Sequence, residues 1–205
     1  AKKELNIPLG INENGEQEFL DVDKARNVLV AGRSGSGKST FLHKAIKRLT
    51  KNYSKEDVRL FLIDLKQTEF IRYKDYVIYD LEQAKSVLNY LVNKIKTEAE
   101  KEETPTIIIV DECQFMTTKQ VEQLRQIAYT TNVLCYGLLT NFKTELFEGS
   151  KRLVELADSL QEVKSVCTCG RKASVNARFI DGKLTTDGAE ILIGAEESYE
   201  SMCYW

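Results

Sequence analysis

Apolar positions along this chain fall into two alternating rhythms. Short runs that are apolar on both sides, at 27–31, 58–64, Thr106–Asp111 and 133–137, read as buried parallel strands, because a strand covered on both faces needs no polar alternation. Between them lie stretches with helical spacing. Ala84, Val87, Leu88, Leu91, Val92 and Ile95 mark a helix from Leu81 to about Glu102, closed by a charged run and Pro105. Further helices are expected over 38–51, 118–130 and 147–159. Strands and helices in this order predict an α/β fold, a parallel sheet with helices on both faces. Ahead of it, runs at 5–11 and 18–22 flank Asn14-Gly15, the commonest hairpin turn pair. Behind it, 161–205 carries short extended runs and an Asp181-Gly182 turn. The expected organisation is therefore an α/β domain over 1–160 and a small β-rich appendage over 161–205.

Composition narrows the class only a little. The chain has 205 residues, 42% hydrophobic and 29% charged, with a formal net charge of −2, as in an ordinary globular domain. Without a clustered basic excess, a dedicated nucleic-acid binder is not the expectation. No apolar run is long enough to cross a bilayer, and Ala1-Lys2-Lys3-Glu4 lacks a signal-peptide core, so the expected location is cytoplasmic, away from membranes. Of the five cysteines, Cys167, Cys169 and Cys203 cluster in the last segment, which favours a metal over a disulfide framework. Cys113 and Cys135 lie in or beside predicted strands and read as inert buried thiols.

Chemistry enters at residues 32–39. Gly32-Arg33-Ser34-Gly35-Ser36-Gly37-Lys38-Ser39 fits G-x-x-x-x-G-K-[ST], follows a buried strand and opens a helix, the context that a P-loop requires. Glycines let successive N–H groups turn toward phosphate oxygens, and the helix start offers its positive dipole end to the same anion. Lys38 would reach the β- and γ-phosphates of ATP, the Ser39 hydroxyl would ligate magnesium, and Thr40 extends the nucleotide-binding run. The strand Thr106–Asp111 then delivers the second half of such a site. Asp111 at its end is the expected magnesium partner, and Glu112 a general base. A base does not name its acceptor: Glu112 would serve a kinase by deprotonating a hydroxyl, or an ATPase by polarising water.

From Asp111 onward the chain resembles the type II thymidine kinases. Asp111-Glu112-Cys113-Gln114-Phe115 is similar to their D-E-x-Q-F segment. Cys135-Tyr136-Gly137-Leu138-Leu139-Thr140-Asn141-Phe142 resembles C-Y-G-L-R-T-D-F. Phe147-Glu148-Gly149-Ser150 with Leu153, Leu156, Ala157 and Asp158 resembles F-x-G-S-x-x-L-x-x-x-A-D. Cys167-Thr168-Cys169-Gly170-Arg171 and Ile193-Gly194, Tyr199 and Cys203 look like the zinc-lasso region. The resemblance implies a RecA-like P-loop core with a zinc-ribbon appendage, and thymidine as the substrate. It gives Glu112 the proton of the 5′-hydroxyl and Gln114 a place in the nucleotide site. Phe115, Leu138, Phe142 and Phe147 become an apolar wall around the base. Ile191, Leu192, Ile193, Gly194 and Tyr199 become a lasso closing over the nucleoside. Cys167, Cys169 and Cys203 become zinc ligands, with the pattern's fourth ligand due beyond Trp205, and the assembly a homotetramer.

The first half departs from that pattern. The P-loop lacks the family's methionine, and K-P-x-x-D-x-R after the second strand is missing, leaving Arg33 or Arg72 as candidates for its arginine. Leu139 and Asn141 replace an arginine and an aspartate. Instead Asn6-Ile7-Pro8-Leu9-Gly10, Asn27-Val28-Leu29-Val30-Ala31-Gly32 and Leu62-Ile63-Asp64-Leu65-Lys66 resemble FtsK/SpoIIIE-type DNA translocases over about residues 5–95. Two resemblances that meet near 100–106 imply a chimera of related cores. They leave a DNA-stimulated ATPase, or a nucleotide binder with little catalysis, as the alternatives to a kinase.

Overall fold

The computed structural model describes residues 6–11, 14–21, 24–98, 104–188 and 197–204. The chain opens with the expected hairpin, β1 (Asn6–Ile11) and β2 (Gln17–Asp21), antiparallel and forming a sheet of its own. β3 (Asn27–Gly32) leads into α1 (Lys38–Asn52), and β4 (Arg59–Asp64) follows. A single 3-10 turn (Phe70–Arg72) and a two-residue strand, β5 (Ile78–Tyr79), precede α2 (Leu81–Glu98). The rest of the core is β6 (Thr106–Asp111), a 3-10 turn (Cys113–Phe115), α3 (Thr118–Ile127), β7 (Asn132–Gly137), α4 (Glu148–Leu156) and β8 (Ser159–Val163). The six core strands pair in the order β5-β4-β6-β7-β3-β8, every pair parallel.

The two-sided apolar runs explain the layers. Val28, Val30, Leu62, Ile107 and Ile109 turn to one face, where Leu42, Ala45, Ile46 and Leu49 of α1 and Ile7 and Leu20 of the hairpin cover them. Leu29, Ile63, Ile108 and Val110 turn to the other, beneath α2, α3 and α4. All these strand residues are 3% exposed or less, so the sheet is buried on both sides, as the lack of polar alternation predicted.

Two motif residues turn out to be fasteners. Asp158 accepts from the Asn27 N–H at 2.9 Å and from Arg125 Nη1 at 2.8 Å, joining the start of β3 to the end of α4. Gly149 lets α4 approach the 3-10 turn after β6: a Cβ there would meet the Met116 and Cys113 carbonyl oxygens at 2.6 and 2.7 Å.

The structure differs from the sequence reading at the end of α4. The helix expected over 147–159 stops at Leu156, and Ser159–Val163 pairs with β3 as the sheet's sixth strand, crossing the expected boundary at 160. The remaining described residues form a small antiparallel sheet in the order β10-β9-β11, from β9 (Val175–Ile180), β10 (Lys183–Thr185) and β11 (Glu197–Met202). Asp181-Gly182, both at positive φ, close the β9–β10 hairpin as expected.

Candidate active site

The P-loop leaves the carboxyl end of β3, next to β7, with β6 one strand further. The acidic pair therefore comes from the next strand but one. Gly35 and Gly37 take φ of 71° and 87°, values that favour glycine, and Gly37 in this conformation starts α1. Gly32 is needed for a different reason. A Cβ there would sit 2.5 Å from Ser36 Oγ and 3.2 Å from Lys38 Cβ, inside the cradle. Ser36 Oγ is buried with no hydrogen-bond partner, a donor that a phosphate oxygen would satisfy.

Lys38 and Asp111 face each other at the cradle's floor. Nζ lies 3.3 Å from Oδ1, with both side chains buried. Burial pushes the Asp111 carboxyl above its ordinary value; Lys38 opposes that shift and Glu112 reinforces it. Asp111 Oδ2 is buried without a partner. A divalent cation would relieve both conditions, so the donor set of Ser39 and Asp111 fits magnesium. One turn further along α1, His43 contacts Glu69 at 2.8 Å and Tyr73 Oη at 2.7 Å. Burial works to raise the Glu69 carboxyl, but hydrogen bonds from His43 and Ser39 outweigh it and the net shift is downward.

Glu112 sits at φ 56°, a left-handed conformation uncommon for a residue with a side chain, which turns its carboxylate away from the strand line. Two neighbours hold that carboxylate. Gln114 Nε2 donates to Oε2, and Lys66 Nζ lies 4.0 Å from Oε1. Gln114 in turn accepts from the Leu138 N–H at 3.1 Å, so the end of β7 fixes the orientation of the Glu112 carboxylate. Ser150 Oγ donates to the Leu138 carbonyl, which gives the Gly149-Ser150 pair its second task.

A cavity of about 520 Å³ joins these parts. Its walls include residues 33–39, Glu112, Gln114, Phe115, Leu138, Phe142, Phe147 and Tyr199. Phe115 and Phe147 meet edge to face with centroids 5.9 Å apart. The Arg178 guanidinium, fully buried, stacks 4.5 Å from the Phe142 ring centre, backing the opposite wall. Thr40 does not line the cavity, and the Ser34 N–H is directed to Asn176 Oδ1 at 3.0 Å. Ile191, Leu192, Ile193 and Gly194 lie outside the described residues. Lys66, Thr140 and Asn176 also line the cavity. Of these, Lys66 and Thr140 lay in stretches that the sequence singled out, Leu62-Ile63-Asp64-Leu65-Lys66 and residues 135–142, whereas Asn176 had no signal. Arg33 turns away from the cavity's centre, its Nε donating to the Ala173 carbonyl at 3.0 Å, and Arg72 is not among the lining residues.

The three clustered cysteines come together as the spacing predicted. Their sulfurs all lie within 4.8 Å of one another, with Cys169 and Cys203 Sγ at 3.5 Å. Four thiolates around zinc at about 2.3 Å would stand about 3.8 Å apart, so the set fits a tetrahedral metal. Hydrogen bonds from the backbone N–H groups of Cys169 and Cys203 are the main cause of a Cys167 thiol lowered to about 6, poised as a thiolate ligand. Cys113 and Cys135 are free and fully buried, and burial pushes the Cys113 thiol well up, in keeping with inert thiols.

Comparison with known proteins joins these observations. The family model described as thymidine kinase matches residues 26–205. The thymidine kinase of Shewanella oneidensis is 46% identical over 110 residues, 52% of this chain and 57% of that protein. That of Pasteurella multocida is 52% identical over 99 residues, 47% of this chain and 52% of that protein. The chain thus spans about half the length of the curated relatives it matches. Among solved structures, the cytoplasmic domain of the Thermomonospora curvata type VII secretion ATPase EccC aligns with a TM-score of 0.59 at 16% identity, covering 75% of this chain and 21% of that one. The pCW3 conjugation coupling protein TcpA aligns at 0.53 and 18% identity, covering 77% and 53%. At these identities the likeness establishes the fold, a P-loop α/β core. Among the described residues no helix is long and apolar enough to cross a membrane.

Proposed function

The chain belongs to the thymidine kinase family, and on that premise we propose that it transfers the γ-phosphoryl group of ATP to the 5′-hydroxyl of thymidine. ATP lies with its β- and γ-phosphates against the N–H groups of the P-loop and the Lys38 ammonium. Ser39 and Asp111 would hold magnesium, which when bound neutralises phosphate charge. Glu112, oriented by Gln114, takes the proton from the 5′-hydroxyl. The hydroxyl oxygen bonds to the γ-phosphorus while the bond to the β,γ-bridging oxygen breaks, and that oxygen leaves with ADP. Phe115, Leu138, Phe142 and Phe147 enclose the base, and Tyr199 of β11 lines the same cavity.

One observation supports this reading above the others: the P-loop, the base and the aromatic wall share a single cavity of about 520 Å³. A water-activating ATPase has no use for an apolar chamber beyond its base, whereas a nucleoside acceptor fills it. The Cys167, Cys169 and Cys203 cluster is proposed to bind zinc, a fourth ligand completing the tetrahedron. Family membership supports a cytoplasmic homotetramer. The FtsK-like motifs before residue 95, together with curated relatives that match only about half of the chain, support a chimera of two related cores.

The test is ADP release from MgATP with thymidine, with duplex DNA, and with neither. Release that requires thymidine supports the kinase. Release stimulated by DNA moves the function to the translocase-like reading, and nucleotide binding without release leaves a scaffold that lost its acceptor chemistry.

A further inference from the structure

The cavity contains a second lysine that neither the P-loop pattern nor the acidic pair accounts for. Lys66, two residues past β4, places its ammonium 4.0 Å from Glu112 Oε1 and 5.2 Å from the Phe115 ring centre. It lines the same space as Gly35, Lys38 and Ser39. Lys38 is already tied to Asp111 at 3.3 Å on the floor, whereas the Lys66 side chain is 52% exposed and, among the described residues, makes only the 4.0 Å ion pair and the ring contact.

The loop bearing Lys66 is anchored with unusual care. Asp64, fully buried, accepts from the Lys66 N–H at 3.3 Å through Oδ1. Through Oδ2 it accepts from the Glu69 and Phe70 N–H groups at 2.9 and 3.0 Å. Gln67 turns the chain at φ 57° and its amide donates to Asp80 at 3.0 Å. A half-exposed ion pair at 4.0 Å adds little to stability, so the Lys66–Glu112 contact does not by itself account for this presentation. A cation beside the general base, on a flexible stem, facing a phosphate cradle, matches the need of phosphoryl transfer for charge at the equatorial oxygens.

We propose that Lys66 is a catalytic residue that donates a hydrogen bond to an oxygen of the γ-phosphoryl group as it transfers. Before nucleotide enters, Glu112 and the Phe115 face hold the ammonium. When the phosphoryl group moves from the β,γ-bridging oxygen toward the acceptor, charge gathers on its three outer oxygens, and Lys66 meets one of them. The proposal rests on the phosphoryl-transfer site described above but not on the identity of the acceptor.

Its test reads binding rather than turnover. Wild type, Lys66→Met and Lys66→Arg are titrated with MgADP and with MgADP plus aluminium fluoride, which mimics the transferring group. Lys66→Met is expected to bind MgADP within about twofold of wild type but the fluoride complex at least about tenfold more weakly, with Lys66→Arg retaining most of the difference. Equal affinity of wild type and Lys66→Met for the fluoride complex overturns the proposal. So does an equal loss for both ligands, which would make Lys66 a support of the loop. Failure of thymidine to drive turnover, with the fluoride effect intact, removes the acceptor reading and leaves this one standing.

Discussion

Asn176 Oδ1 accepts a hydrogen bond from the Ser34 backbone N–H at 3.0 Å, across 142 residues of sequence. The same amide donates through Nδ2 to the Thr140 carbonyl at 3.0 Å, and Asn176 is only 2% exposed. Arg33 Nε bonds the Ala173 carbonyl, and Ser201 Oγ donates to the Ser34 carbonyl. The P-loop is therefore braced from outside the sheet, by the appendage that carries the cysteine cluster.

Asn176→Ala removes both bonds and leaves the half-buried Ser34 N–H and Thr140 carbonyl without this partner. It is expected to cost about 1–3 kcal/mol of stability and to weaken MgATP binding, read by urea unfolding and calorimetric titration. Asn176→Asp keeps the acceptor for Ser34 but sets a carboxylate against the Thr140 carbonyl, so it is expected to rescue little.

Gly32→Ala and Gly137→Ala separate binding from chemistry. At Gly32 the added methyl falls 2.5 Å from Ser36 Oγ, in the phosphate cradle, and MgATP affinity is expected to drop at least about tenfold. At Gly137 it falls 2.6 Å from both Gln114 Oε1 and Cys113 Sγ. That displaces the residue orienting Glu112, so kcat is expected to fall with MgATP affinity close to wild type. Equilibrium nucleotide titration beside steady-state kinetics distinguishes the two.

Stripping the proposed zinc from the cysteine cluster is expected to lower the melting temperature and, through Ser201 and Ala173, to weaken MgATP binding. Both effects should appear in Cys169→Ser without chelator. In the metal-free protein the Cys167 thiol is lowered from 9.0 to about 6, so its thiolate form favours the folded state. That contribution is complete above the unfolded value and is lost as pH falls through about 6. Melting curves of the chelated protein across that window should therefore rise with pH, and less so in Cys167→Ser.

The parts legible in the sequence are those fixed by short-range pattern. The P-loop, the Asp111-Glu112 pair and the two-sided apolar strands need only neighbours in the chain to declare themselves. β8 was missed because Ser159–Val163 is an edge strand whose burial alternates, and with Leu160 48% exposed it lacks the two-sided apolar run that marks the inner strands. β5, with two residues, is too short to show a period. Asn176 and Arg178 carry no local signature. Their roles arise only when β9 is laid beside the P-loop and Phe142, which depends on tertiary packing. Lys66 lay within a motif noted in the sequence, but only its closeness to Glu112 gave it chemistry.

The most direct test of the central claim follows the phosphoryl group itself. ATP labelled at the γ-phosphorus is incubated with magnesium, thymidine and either the wild type or Glu112→Gln. The account predicts label in thymidine 5′-monophosphate with the wild type, and a rate at least about a hundredfold lower with Glu112→Gln while MgATP still binds. Label appearing only in inorganic phosphate, or equal transfer by Glu112→Gln, would contradict it.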